Sequence, residues 1–438
     1  MTRNEQNLLF LTLVLICSLL RCHCKPLTYE GKLPEKISQI LNYADIAQKI
    51  IILALYEKAQ NRSYERFAAF TDTVGNRVSG SKNLDLAIKY IYNASKLDGL
   101  ENVYLELVKI PQWVRGEESA VMVLPCNHSL SILGLGSSVG TPKKGIEAEL
   151  SVVESFEELK RRANEAKGRI VVYNQPFVSY EETVAYRTTG ASKAAKVGAV
   201  ASLIMARMAH RGTRNVVQLT MGAQNLADVD SFNTVAEITG TEHPKQVVLL
   251  SGHLDSWDVG QGAMDDGGGV AISWEAMSLI KGLGLRPKST LRTVLWSAEE
   301  TGGMGAAQYY QQHKANISNF DLVMESDLCT FAPVGLQFIG NDKVSAVMRD
   351  VMKLLTPINV TSLEEHGEGT DINMWMEARV PGHCGFNSFE CQLLGFSEPC
   401  LCLIFHTDST FNCSFVCAVK PLCLIHSGFH GPAPPAIS

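Results

Sequence analysis

The aliphatic run Val247-Val248-Leu249-Leu250 passes directly into SGHLDSWDVGQGAMDDGGG, residues 251–269, and this junction constrains the fold more than any other feature. Four apolar residues in succession suit a strand buried on both faces rather than one with a solvated side. Strands and helices then alternate. TVAEITG (234–240) precedes QVVLLSGH (246–253), a helix is expected from Gly267 to Leu283, TLRTVLWSAEE (290–300) follows, a second helix is expected from Gly303 to His313, and FDLVMESD (320–327) closes the series. Such alternation signals a layered α/β sheet. Sheets of this kind carry their chemistry at the carboxyl ends of their strands, where three polar clusters fall.

In the first cluster, His253 and Asp255 leave the strand two residues apart, which puts them on one side while the chain stays extended. Asp255 is thus a candidate to orient the imidazole of His253. Asp265 and Asp266 open the next helix, whose N-terminus tolerates their charge, and Asp266 by itself reads equally as a helix cap. The second cluster is Glu299-Glu300. Adjacent residues of a strand face opposite ways, so both serve one site only if the backbone turns, which Thr301-Gly302-Gly303 permits. Two neighbouring carboxylates repel unless cations lie between them or one holds a proton. The third is Asp327, after LVMES. One imidazole among carboxylates at three strand ends suits a pair of zinc ions, which activate water and clamp the tetrahedral intermediate of amide hydrolysis.

Upstream, residues 34–110 read as mainly helical, with apolar side chains at three- and four-residue intervals over 42–60 and 84–99 and a strand at 102–110. From 111 to 232 the pattern shifts to short β-branched runs at 118–124, 147–153 and 168–174, spaced by Gly, Pro and Ser, and a small-residue helix leads into a strand over 190–205. A β-rich insert is expected there. A chain of 438 residues has room for a large core, and 46 % hydrophobic residues exclude disorder over most of its length. A net charge of -6 provides no basic field for nucleic acid.

The two ends point to a compartment. Arg3 and the apolar run Leu8 to Leu20, followed by small residues at Cys22 and Cys24, predict a secretory signal peptide over 1–24. The run is short of the roughly 20 residues that span a bilayer, and no later segment reaches that length. Six Asn-x-Ser/Thr sequons, at Asn61, Asn93, Asn127, Asn316, Asn359 and Asn412, fit a glycosylated secretory or lysosomal product in transit through the endoplasmic reticulum and Golgi. From 383 to 438 the texture changes, with seven of the 12 cysteines and four histidines but only four charged residues. The spacings match no standard zinc motif, and disulfides or a replacement tail fit that composition better.

On these residues the sequence resembles the co-catalytic dizinc aminopeptidase family. The resemblance runs from about Asn61 to Gly382 and is carried by AQNRSYERF, SGSKNL, RGEESAVM, DSFNTVAEITG, SGHLDSWDVGQGAMDDGGG, AEE, VMESD and HGEGTDIN. It implies a three-layer α/β domain with a central mixed sheet, whose N-terminal part over 25–110 includes a possible propeptide and whose zinc-peptidase core spans 233–382. The insert at 111–232 is similar to the protease-associated type. By resemblance, His253 and Asp327 hold one zinc, Asp265 bridges two, Glu300 binds the other, and Glu299 is the general base. An exopeptidase cutting dipeptides with free termini, two zinc ions per subunit and a homodimer are implied with them.

Two departures from the family stand out. The insert passes directly from Ile204 to Met205 where the family has a longer stretch, and after Gly382 the family segment FHHSHGDT, with the last zinc histidine, is replaced by the cysteine-rich tail. The fifth ligand has no aligned counterpart, and His406 in FHTDST is a candidate substitute. His366 and Glu368 either line the substrate cleft or brace a turn. The rival readings are a catalytically silent scaffold and a single-zinc relative of the glutaminyl-cyclase type.

Overall fold

In the computed structural model the residues described are 40–176, 178, 180–204, 214–327, 333–365 and 371–387. The expected signal peptide, Asn412, His366, Glu368, His406, residues 205–213 after Ile204 and most of the tail lie outside them. Among the described residues, two compact units separate. One comprises 40–114, 136–138 and the residues from Gln224 onward, and the other comprises Arg115–Leu135 and Val139–Ala223.

The larger unit is built on eight strands: β1 (Glu101–Ile110), β2 (Val229–Ile238), β3 (His243–His253), β4 (Ser289–Trp296), β5 (Phe320–Glu325), β6 (Gly335–Ile339), β7 (Ser362–Glu364) and β8 (Gly382–Asn387). Their spatial order is β1-β2-β4-β3-β5-β8-β6-β7. The central strands β4, β3, β5 and β8 run parallel, while β2 lies antiparallel to β4 and β6 antiparallel to β8. The sheet is therefore mixed, as expected.

Its helices are α1 (Ala44–Tyr56), α2 (Arg62–Val74), α3 (Lys82–Leu97), α4 (Gly268–Gly282), α5 (Met304–His313), α6 (Asp342–Met352) and α7 (Asn373–Glu377). Strand periodicity divides the VVLL run between two layers. Val248 and Leu250 pack with α1, α4 and α6 residues such as Ile50, Ile280 and Met348, while Val247 and Leu249 pack with Tyr309 of α5 and Trp375 of α7. Burying each such side chain contributes roughly 1.5–3 kcal/mol, which is why the run has no polar alternation. The three layers expected from the resemblance are present.

The helical reading upstream needed one division. The expected helix over 42–60 ends at Tyr56, and α2 begins separately at Arg62 after a turn in which Asn61 adopts a positive φ of 62°. Ser81 caps α3 by accepting the amide of Leu84, and Asn341 caps α6 by accepting those of Lys343 and Val344.

The smaller unit is a six-stranded sheet in the spatial order His128–Leu130, Glu118–Leu124, Val216–Met221, Ile146–Val153, Ile170–Tyr173 and Ala201–Ile204. Helix Tyr180–Lys196 packs on it, and the Tyr173 hydroxyl donates to the carbonyl of Gly190 at 2.7 Å.

Candidate metal centre

Strand register assembles the site. Ser251 of β3 pairs with Glu325 of β5, so His253 and Asp327, each two residues further on, leave the sheet side by side. His253 is also level with Trp296 of β4, three residues before Glu299. The carboxyl ends of three adjacent parallel strands thus open onto one spot, as the alternation of elements predicts.

His253 is fully buried, and its Nε2 lies 3.0 Å from Asp265 Oδ1, 3.2 Å from Asp327 Oδ1 and 3.8 Å from Glu299 Oε2. Burial opposes a charge on this imidazole, but the Asp327 carboxylate and its neighbours outweigh burial and raise its pKa well above the usual value. Burial is also the main reason that Glu299 is pushed up to about 8 and Glu300 to about 10, with surrounding carboxylates adding to it and His253 opposing it. Asp327 is shifted upward too, again chiefly by burial.

Asp255 stands beside His253 and has further partners. The Nδ1 of His253 meets the main-chain carbonyl of Asp255 at 3.1 Å, while the Asp255 carboxylate stands 3.6 Å away. That carboxylate also accepts the amides of Glu299 at 3.0 Å and Glu300 at 3.1 Å. The two-residue spacing presumed extended chain, whereas β3 ends at His253.

The turn between the glutamates is also placed differently. β4 ends at Trp296, and the bend begins at Ala298, a buried residue with φ of 65°. A non-glycine residue held at positive φ is strained by roughly 1–3 kcal/mol, which the packing around it must offset. The Glu299 carbonyl then accepts the amides of Gly302 and Gly303, so both glutamates lie in a turn rather than on opposite faces of a strand.

Asp265 and Asp266 precede the helix rather than opening it, since α4 starts at Gly268 and both aspartates have non-helical torsions. Their peptide bond is cis. The Asp266 carboxylate accepts the amide of His253 and that of Gly269, each at 2.9 Å. It is therefore both the helix cap considered from sequence and a brace on β3. Asp266 also joins His253 and Asp327 in a group whose donor atoms lie within 4.8 Å of one another. Gly269 is required at this approach, because a Cβ there would stand 1.9 Å from the Ser326 carbonyl oxygen.

Two residues near the site escaped sequence reasoning. Asp371, just before α7, is buried with both carboxylate oxygens unpartnered among the described residues, and burial followed by the nearby Glu325 raises its pKa well above normal. Its only signal was its place at the end of HGEGTD. Arg77 is fully buried and bonds to main-chain carbonyls of the loop after β3, a tertiary relationship with no local signature.

A group of carboxylates, most of them half-buried, around one buried imidazole, several held above their ordinary pKa, is the donor set that hard or borderline divalent cations take. The Oε1 atom of Glu300 is buried without a partner among the described residues, as expected of an oxygen reserved for a metal.

The profile of Peptidase family M28 matches residues 233–389. The chain is similar to carboxypeptidase Q of Homo sapiens, 58% identical over 396 residues that cover 82% of this chain and 84% of that one. It is similar as well to carboxypeptidase Q of Pongo abelii, 60% identical over 381 residues, or 78% of this chain and 81% of that one. Among solved structures, a Peptidase M28 precursor from Shewanella amazonensis SB2B superposes with a TM-score of 0.71 at 24% identity, covering 83% of this chain and 89% of that one. BSAP, a zinc aminopeptidase from Bacillus subtilis, superposes with a TM-score of 0.57 at 17% identity over 77% of this chain and 86% of that one. The two structures share the fold.

Proposed function

This chain belongs to the carboxypeptidase Q family of M28 peptidases, and from that premise we propose that it is a zinc exopeptidase hydrolysing dipeptides with free termini. The observation that carries the reading is the convergence of Asp265, Asp327 and Glu299 within 3.8 Å of the buried His253 Nε2. His253 and Asp327 would hold one zinc, Asp265 both, and Glu300 the second. When bound, the zinc ions supply Lewis-acid polarisation of the peptide carbonyl and acidify the attacking water.

The protein's own groups do the rest. Glu299 takes the proton of the attacking water on its free carboxylate and returns it to the departing amine nitrogen, so the acid released and the amine both leave with balanced protons. Asp255, by holding the amides of Glu299 and Glu300, keeps base and ligand in one rigid turn.

Secretion, passage through the endoplasmic reticulum, Golgi and lysosome, and a homodimeric state belong to the same proposal. Asn61, Asn93, Asn127, Asn316 and Asn359 are exposed, which supports glycan attachment. Among the described residues no helix is long and apolar enough to cross a membrane.

The test is turnover of a dipeptide by the purified full chain, with and without chelator, beside Glu299→Gln. Turnover that chelator abolishes, and that falls about 10²- to 10⁴-fold in the variant while zinc is retained, supports the reading. Absence of both turnover and zinc leaves the silent scaffold, to which the replaced histidine segment after Gly382 would then point. One zinc per chain with cyclisation of N-terminal glutamine would favour the glutaminyl-cyclase type.

A further inference from the structure

Arg77, in the turn between α2 and α3, has no exposed surface. Its Nε donates to the Leu254 carbonyl at 2.5 Å, Nη1 to the carbonyls of Gln261 at 2.6 Å and Gly75 at 3.2 Å, and Nη2 to that of Gly262 at 2.7 Å. Its own backbone is tied to the same loop, since its amide donates to Ser256 Oγ at 3.0 Å and its carbonyl accepts the amide of Ser256 at 3.2 Å. The Phe70 ring lies 5.1 Å from the guanidinium carbon.

A buried guanidinium normally meets a carboxylate, because a pair offsets more of the desolvation cost than neutral acceptors do. Here, among the described residues, every hydrogen bond from the side chain goes to a main-chain carbonyl. Burial lowers its pKa to about 10, with Asp255, Asp266, Asp265 and Glu300 acting in the opposite sense, so it stays charged at neutral pH. Three of these four carbonyls, those of Leu254, Gln261 and Gly262, lie in the segment 254–262. That segment has no regular structure and separates His253 from Asp265, 12 positions apart in sequence but 3.0 Å apart at their nearest atoms. The last carbonyl, that of Gly262, also accepts the amide of Gly267 at 3.0 Å, which carries the restraint into the turn that presents Asp265 and Asp266. A Cβ on Gly262 would stand 2.3 Å from Ser256 Cβ and 2.9 Å from Arg77 Nη2, so the loop closes tightly on the guanidinium.

We propose that Arg77 is a positioning residue for the metal centre: its planar fork of donors fixes the 254–262 loop and thereby brings Asp265 to His253. The inference rests on the zinc-peptidase reading only for the identity of the ion. Lysine keeps the charge but has no fork with which to span carbonyls from Leu254 to Gly262.

The experiment compares wild type with Arg77→Lys in the full chain, reading zinc affinity by competition with a chromophoric chelator and amide hydrogen exchange across 254–262. The expected result is a loss of about 10- to 100-fold in zinc affinity, with faster exchange in 254–262 while β3 and α4 keep their protection. Wild-type zinc affinity and unchanged loop protection in Arg77→Lys would overturn the proposal. If that variant does not fold, Ser256→Ala, which removes one anchor of the Arg77 backbone, undergoes the same two measurements with the same opposing outcomes. Neither readout uses turnover. A wild-type protein that binds zinc but cleaves no dipeptide therefore defeats the peptidase reading and leaves the role of Arg77 standing, whereas an active enzyme indifferent to Arg77→Lys does the reverse.

Discussion

The Asp255 carboxylate receives the amide of Glu299 at 3.0 Å through one oxygen, and its second oxygen receives that of Glu300 at 3.1 Å. One buried side chain therefore sets the direction of two functional glutamates. Asp255→Asn keeps a single acceptor and turns an NH₂ group toward the second amide. The expected outcome is a fall in kcat of about 10- to 100-fold, with KM changed less, and a loss of about 1–3 kcal/mol of stability from the unpaired amide. Steady-state kinetics and denaturant melts check both.

Protonation of the metal-free site sets a pH dependence. Glu299 and Glu300, at about 8 and about 10, hold protons at neutral pH that the unfolded chain, near 4.5, has released. The folded state then binds more protons than the unfolded one, so these groups favour folding less as pH rises from about 4.5 through about 8 and toward 10. Zinc must expel those protons, and its affinity is expected to rise with pH over the same window. Calorimetric titration at pH 7 in two buffers of different ionisation enthalpy should register proton release, and zero release would count against the protonated cluster.

Glu101 carries the opposite sign. It begins β1 and accepts from Lys281 Nζ at 2.9 Å, from the Arg286 guanidinium and from the Thr239 amide at 3.1 Å. Burial would raise its pKa, but these donors hold it at about 2. Its contribution is present in full above about 4.5 and disappears as pH falls toward 2. Partial exposure limits it to about 1 kcal/mol or less. Glu101→Gln should be slightly less stable than wild type at pH 7 and equal to it near pH 2, as urea midpoints at the two pH values would register.

Gly269 tests the packing behind the site. In Gly269→Ala the new methyl would fall 1.9 Å from the Ser326 carbonyl and 2.4 Å from Asp266 Oδ1, so α4 must move away from the end of β5. A loss of at least about 1–3 kcal/mol is expected, together with weaker zinc binding because Ser326 precedes Asp327. A wild-type melting temperature would contradict the geometry.

The sequence by itself determined the layered sheet, because VVLL needs burial on both faces and the alternation of strands with helices forces parallel neighbours. It also pointed to His253, Asp265, Glu299, Glu300 and Asp327 as candidates, because these acids and the histidine fall at the carboxyl ends of its strands. Tertiary structure alone decided the direction of Asp255, the bend at Ala298, the double duty of Asp266 and the burial of Arg77 and Asp371. Each of these depends on main-chain groups from segments far apart in sequence. A hydrogen bond from a side chain to a distant carbonyl or amide leaves no residue-type pattern to read, whereas periodicity and strand-end chemistry are written along the chain itself.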